Sequence, residues 1–376
     1  MYCLVAKSRL ARIVPIGLVC LCFILALAGC GSSGGWQAEA FGTYHIHALA
    51  VNTQQAQEIY AGGAQGVVLV STDAGAHWQR TQSVIPQTAT ISELSLDASG
   101  KKLYAVTNNG VWWSADNGQQ WQTVAAGKLP SDTYTALAFD TAAANTLYVG
   151  AARHGIFMST DAGTSWKNIS RGLPTSVAVR GLTYDIYQQQ LWASTDQGLY
   201  RTSNNGTSWS ALNQGLPAHI AINSVAPTNS KIVYAGTQQG IYISQDDGAH
   251  WSAKNDTLAN AQITSLLLNP HSTDTVYVGT QAGAFQSTDQ GGTWSAIAAG
   301  LPANKSVQAL VLAGTNNDHF VAALDTIYTC TNTNSTSILN FSPILIFVII
   351  FIVVFYLSRR GRRRFSRQKS MDTMSP

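Results

Sequence analysis

Six residues have the side chains to engage a ligand: His47, Arg153, His154, Arg180, Asp196 and Asn223. Two guanidinium groups, two imidazoles, a carboxylate and an amide suit hydrogen bonding to a polar ligand or to the loop of a partner protein. Three of them belong to a column that recurs along the chain: His47, Ser92, Thr135, Arg180, Asn223, Thr264 and Gln308. The others fall in polar pairs at a second recurring place, Arg153-His154 and Asp196-Gln197, matched by Asn108-Asn109 and Gln238-Gln239. The alternative is a water-filled channel whose lining is polar because it is wet. A separate set, Asp73, Asp116, Asp161, Asp246 and Asp289, with Asn204 in equivalent position, lies two residues before a glycine each time. An Asp or Asn there accepts backbone N–H groups across a turn while glycine tolerates positive φ. These residues are expected to hold turns and not to catalyse.

The elements that position both sets are repeats. Ser159 to Trp166, in the order Ser-X-Asp-X-Gly-X-X-Trp, recurs at Ser71 to Trp78, Ser114 to Trp121, Thr202 to Trp209, Ser244 to Trp251 and Ser287 to Trp294. Its tryptophans are spaced by 43, 45, 43, 42 and 43 residues, the period of four-stranded propeller blades. Seven inner strands share one pattern, from Ile46-His47-Ala48-Leu49 through Ile91-Ser92-Glu93-Leu94 to Val307-Gln308-Ala309-Leu310. A second strand carries an aromatic residue at a fixed place: Tyr60, Tyr104, Tyr148, Trp192, Tyr234, Tyr277 and Phe320. The seventh box, Cys330-Thr331-Asn332-Thr333-Asn334, has no tryptophan, whereas Gly34-Gly35-Trp36-Gln37 resembles the end of one. The sequence therefore predicts an all-β, seven-bladed β-propeller over 36–332, closed in blade seven by strands from both termini. Closure removes an edge that would otherwise invite aggregation. Both chain ends should then emerge on the face that carries the boxes.

The flanks address the domain to a membrane. Residues 1–29 place Lys7, Arg9 and Arg12 before an apolar run, and Leu27-Ala28-Gly29-Cys30 resembles a bacterial lipobox, which implies cleavage before Cys30 and lipid on that cysteine. An uncleaved signal anchor is the alternative. Residues 30–35 form a tether and 333–337 a linker. Residues 338–357 are uncharged and long enough for one transmembrane helix, and 358–376 are basic. The positive-inside rule puts that tail in the cytoplasm and the repeats on the extracytoplasmic side of the cell membrane. The formal charge of +3 is concentrated in the flanks, and the repeat domain itself carries about −6. That argues against a nucleic-acid partner. No His, Cys or carboxylate grouping has metal-ligand spacing, so neither metal nor cofactor is expected.

Repeats of this form resemble the Asp-box (BNR-repeat) propellers: the photosystem II assembly and stability factor family, and more distantly sortilin and sialidases. The first implies an exported seven-bladed propeller that binds partner proteins. The sialidase resemblance implies an arginine cluster and a Tyr–Glu pair, for which the repeat domain offers only five arginines and the glutamates Glu39, Glu58 and Glu93. The expected function is a protein-binding or assembly scaffold acting through the membrane-distal face. Glycan or cell-wall binding, or a sialidase-like glycoside hydrolase, is the alternative. A glycan site should expose aromatic rings there, for which Trp113 and Tyr134 are candidates.

Overall fold

Each repeat folds as an antiparallel meander. In the first, Ile46–Val51 pairs with Ile59–Gly63, which pairs with Val68–Ser71, which pairs with Gln79–Arg80. The computed structural model describes residues 35–331 apart from 40–43, 83, 125–127, 255–256, 298 and 316–318. Among them, seven four-stranded sheets form the blades. In blade 7 the N-terminal strand Gln37–Ala38 pairs with Ile327–Thr331, beside His319–Ala323 and Ala309–Ala313. The ring thus closes as expected, with Trp36 standing where the other blades have their box tryptophan.

Two units divide the chain, Met1–Asn332 and Thr333–Pro376, and all described residues belong to the first. Residues 1–29, the lipidation candidate Cys30, the 333–337 linker, the 338–357 span and the basic tail lie outside the described residues. Among the described residues no helix is long and apolar enough to cross a membrane.

Burial follows position within the blade. The second strands of blades 1, 2, 3, 5 and 6 are buried along their whole length, because a neighbouring blade covers each face. The two-residue outer strands are exposed. All seven residues of the aromatic column are buried. Core clusters lie between blades, from blades 1 and 2 (Tyr60, Ile91, Leu103, Trp121) round to blades 6 and 7 (Trp36, Tyr277, Phe320). Removing one such aromatic side chain costs about 3–5 kcal/mol.

The box is a hydrogen-bonded latch. In blade 3, Ser159 Oγ donates to Asp161 Oδ1 at 2.8 Å and accepts the Gly163 N–H at 2.8 Å. Asp161 Oδ1 also accepts the Ser165 N–H at 2.8 Å. Ala162 and Gly163 both have positive φ, 57° and 89°. At Gly163 a Cβ would also lie 2.6 Å from Val124 on the preceding blade, so glycine serves both the turn and the contact between blades.

Candidate functional site

In every blade the turns between strands 1 and 2 and the boxes share one end of the ring. The hairpins between strands 2 and 3, and the connections to the next blade, share the other. Gly35 and Thr331, at the two ends of the described chain, both lie at the box end of blade 7. The six expected site residues therefore belong to the opposite face, and they form separate groups.

Arg153 and His154 form the tip of the blade 3 hairpin. Other hairpins close with a threonine clasp: Thr107 Oγ1 donates to Gly110 O at 2.7 Å, and Thr195 Oγ1 to Gly198 O at 2.7 Å. Blade 3 has Ala151 in that place and a hairpin one residue longer. Asp132, from the connection between blades 2 and 3, holds this hairpin instead. Its Oδ2 accepts the N–H groups of Arg153 (3.1 Å) and His154 (3.0 Å) and contacts His154 Nδ1 at 2.6 Å, while Oδ1 accepts Arg153 Nε at 3.2 Å. The Asp132 side chain is fully buried while that of Arg153 is 73% exposed. Burial alone would raise the Asp132 pKa, but hydrogen bonds from His154, Thr133 and Arg153 outweigh it and hold the carboxyl below its ordinary value. The result is a rigid base under an exposed guanidinium whose Nε is fixed.

Beside this hairpin is an open cleft of ≈ 350 Å³, lined by Asn108, Asn109, Leu129, Pro130, Asp132 and Tyr134 among others. Sequence reasoning missed Asp132 and this cleft. Asp132 has no counterpart at a fixed place in the other repeats, so repeat alignment gives it no signal.

Arg180 and Asn223 form a second group. In blades 1 to 6 the polar column falls at a register shift of the inner strand, so His47, Ser92, Thr135, Arg180, Asn223 and Thr264 are each the extra residue of a β-bulge. Several reach across to the next blade. Ser92 Oγ donates to Tyr134 O at 3.3 Å, Thr135 Oγ1 to Val179 O at 2.7 Å, and Asn223 Nδ2 to Ile263 O at 2.7 Å; Thr264 Oγ1 likewise bonds Val307 O. The column is a clasp between blades. Arg180, exposed, donates through Nη1 to Asn223 Oδ1 at 3.3 Å.

Asp196 Oδ1 accepts the Ala178 N–H at 2.9 Å, which ties its hairpin to the base of its own blade. His47 is partly buried, and its pKa is lowered by desolvation and by the neighbouring His45. Among the described residues no hydrogen bond or ion pair joins these groups to one another. Tyr134 is 2% exposed and bonds Pro130 O, and Trp113 is partly buried under the Lys102 ammonium, 4.8 Å from its ring centroid. Trp113 precedes Ser114 of its box and so lies toward the box end, not on the opposite face as expected, and the buried Tyr134 offers no open ring face to a sugar. No group of three or more metal-ligating side chains occurs among the described residues.

Fold and site together define a seven-bladed propeller of the sortilin and sialidase kind, with fixed polar groups on the face opposite its boxes. The chain belongs to the Sortilin-Vps10 family (sortilin, neurotensin receptor 3), which matches residues 66–175 and 239–343, more than half of it. Among solved structures it is similar to YCF48 bound to D1 peptide, at 15% identity and a TM-score of 0.64, covering 81% of this chain and 99% of that one. YCF48 from Cyanidioschyzon merolae gives 14% and 0.61, covering 80% and 99%. A GH74 xyloglucanase from Xanthomonas campestris gives 14% and 0.63, covering 80% of this chain and 54% of the enzyme, so this chain spans about half the enzyme's length. At such identities the likeness is one of fold. No curated protein sequence matches.

Proposed function

We propose that this protein is a membrane-anchored Asp-box propeller that binds a partner protein through the face opposite its boxes, as an assembly scaffold. The observation that carries the reading is the blade 3 hairpin. An exposed guanidinium stands on a buried carboxylate beside a polar cleft, and Tyr134, the aromatic candidate of that face, is covered. An arginine at the rim of a cleft suits a carboxylate or carbonyl-bearing segment of a polypeptide, whereas glycan binding calls for an open aromatic face. The solved complex of YCF48 with a D1 peptide supports a peptide ligand for this fold. The resemblance to the photosystem II assembly factor family supports the scaffold role in the same way.

Anchoring rests on the sequence: a lipid at Cys30, a transmembrane helix over 338–357 and a basic cytoplasmic tail over 358–376. The position of Gly35 and Thr331 at the box end supports an orientation in which the boxes face the cell membrane and Arg153 and Arg180 point away on the extracytoplasmic side. Those two arginines, with His47, His154, Asp196 and Asn223, are the proposed partner-binding residues.

Affinity capture of the full-length protein from its own membranes tests this, comparing wild type with Arg153→Ala/Arg180→Ala. Proteins retained by wild type and lost from the variant support the scaffold. Retention of polysaccharide in their place overturns it in favour of a glycan reader, the reading nearest to the xyloglucanase neighbour.

A further inference from the structure

The second cavity is at the other end of the ring. A space of ≈ 430 Å³ runs along the central channel between the inner strands, opening at the box end near Thr53, Asp97 and Thr141. Its walls are mixed, with Leu96, Leu137, Phe139, Leu182 and Val311 beside Ser95, Thr183 and Tyr184. At its inner end the lining includes Glu93. Glu93 Oε2 accepts the Leu137 N–H at 3.0 Å, and Oε1 accepts no hydrogen bond among the described residues. Desolvation raises the Glu93 pKa to about 8, partly countered by the Leu137 N–H.

The bond to the Leu137 N–H is the use the fold makes of this carboxyl, and the other blades do without it. At the equivalent position the other inner strands carry Ala48, Ala136, Gly181, Ser224, Ser265 and Ala309, and each builds the same kind of blade. A carboxyl held among leucines is costly unless something else is gained from it. The charge of the surroundings selects what that is. The lining holds two carboxyls, Glu93 and Asp97, and no basic side chain. A low-dielectric funnel lined by one sign of charge concentrates the opposite sign at its base.

We propose that the channel cavity binds a small organic ammonium with an apolar body, its N–H groups on Glu93 and its hydrocarbon against Leu137, Phe139 and Leu182. The volume lies in the range of small-molecule pockets, with apolar walls and a few polar groups, Glu93 at the inner end among them. A carboxylate or phosphate ligand meets no basic side chain here, and a neutral one leaves the ionised form of Glu93 without a counter-charge.

Isothermal titration of the full-length protein with benzylammonium, benzyl alcohol and benzoate tests this, with Glu93→Gln beside wild type. Saturable binding of benzylammonium is expected, with benzyl alcohol and benzoate at least ~10-fold weaker and Glu93→Gln reducing benzylammonium affinity ~10- to 100-fold. On wild type alone, affinity should rise close to ~10-fold between about pH 6 and pH 7, as ionisation of Glu93 becomes easier. Tyr184, also in the lining, does not mimic this. Burial raises the pKa of Tyr184, away from that interval. Equal affinity for benzyl alcohol, an unchanged affinity in Glu93→Gln, a flat pH response or no binding of benzylammonium would each overturn the proposal.

Discussion

Trp36 donates its indole N–H to the carbonyl of Ile297 at 2.6 Å, joining residues 261 positions apart. Trp209 and Trp251 reach back to the preceding blade in the same way, to Ile169 O and Leu212 O. The N-terminal strand is therefore fastened by the bond that fastens blades 4 and 5, whereas Trp78, Trp121 and Trp166 bond a glycine of their own box. Trp36→Ala should destabilise the propeller by about 3–5 kcal/mol in urea unfolding. Trp36→Phe keeps the ring but strands the Ile297 carbonyl, at about 1–3 kcal/mol. Trp166 bonds only Gly163 O within its own box, so Trp166→Phe should cost less than Trp36→Phe. Equal costs would mean that closure depends on strand pairing and not on this bond.

The closure was legible in the sequence because the box recurs and its one missing tryptophan reappears near the N-terminus. The aromatic column was legible too, since a residue buried between two blades must be large and apolar in every repeat. The polar column was legible as a column but not as a bulge. An extra residue in a strand leaves no compositional mark, and its bonds to Tyr134 O or Val179 O connect residues 42 to 44 positions apart. Glu93 carried a signal that was passed over, a charged residue in a column of Ala, Gly and Ser.

Acid should weaken the ring through its boxes. Hydrogen bonds from the Ser165 side chain and backbone and from Ser159 pull Asp161 down to about 2, and those from His250 and Ser244 do the same for Asp246. Asp73, Asp116 and Asp289 are also lowered. A carboxyl with a depressed folded pKa contributes stability above its unfolded value, near 3.8, and loses it as pH falls toward about 2. Asn204 occupies the same place in blade 4, bonds the Ser208 N–H at 3.0 Å and does not titrate. Asn204→Asp should therefore steepen the loss of thermal stability between about pH 4 and pH 2 while leaving the neutral Tm nearly unchanged. An unaltered acid slope would show that the box carboxylates do not govern acid unfolding.

Asp132 should act on stability and binding together. Asp132→Ala leaves the Arg153 and His154 N–H groups without their acceptor and is expected to cost about 2–4 kcal/mol. Asp132→Asn keeps an acceptor but loses the charge. The folded pKa is depressed, so the advantage of wild type over Asp132→Asn should hold at neutral pH and vanish as pH falls below the ordinary carboxyl range. Partner capture should fall in both variants although Arg153 is intact, because the guanidinium loses its fixed base. Full capture by a folded Asp132→Asn protein would show that the hairpin need not be rigid to bind.

Asn223 separates the two roles of the polar column. Its side chain donates to Ile263 O at 2.7 Å and accepts from Arg180 at 3.3 Å, so it both clasps blades 5 and 6 and orients the arginine. Arg180 is exposed and its bond is long, so Arg180→Ala should change stability by no more than about 0.5 kcal/mol. Asn223→Ala leaves a carbonyl of the inner strand unpaired and should cost about 1–3 kcal/mol. Binding should rank differently: Arg180→Ala removes the contacting group outright, whereas Asn223→Ala only frees it. In a double-mutant cycle on capture affinity, Asn223→Ala should weaken binding in the Arg180 background and have little further effect once Arg180 is alanine. A cycle in which the two losses simply add would mean that Asn223 meets the partner directly, and that the column presents a ring of binding groups instead of one arginine held by its neighbour.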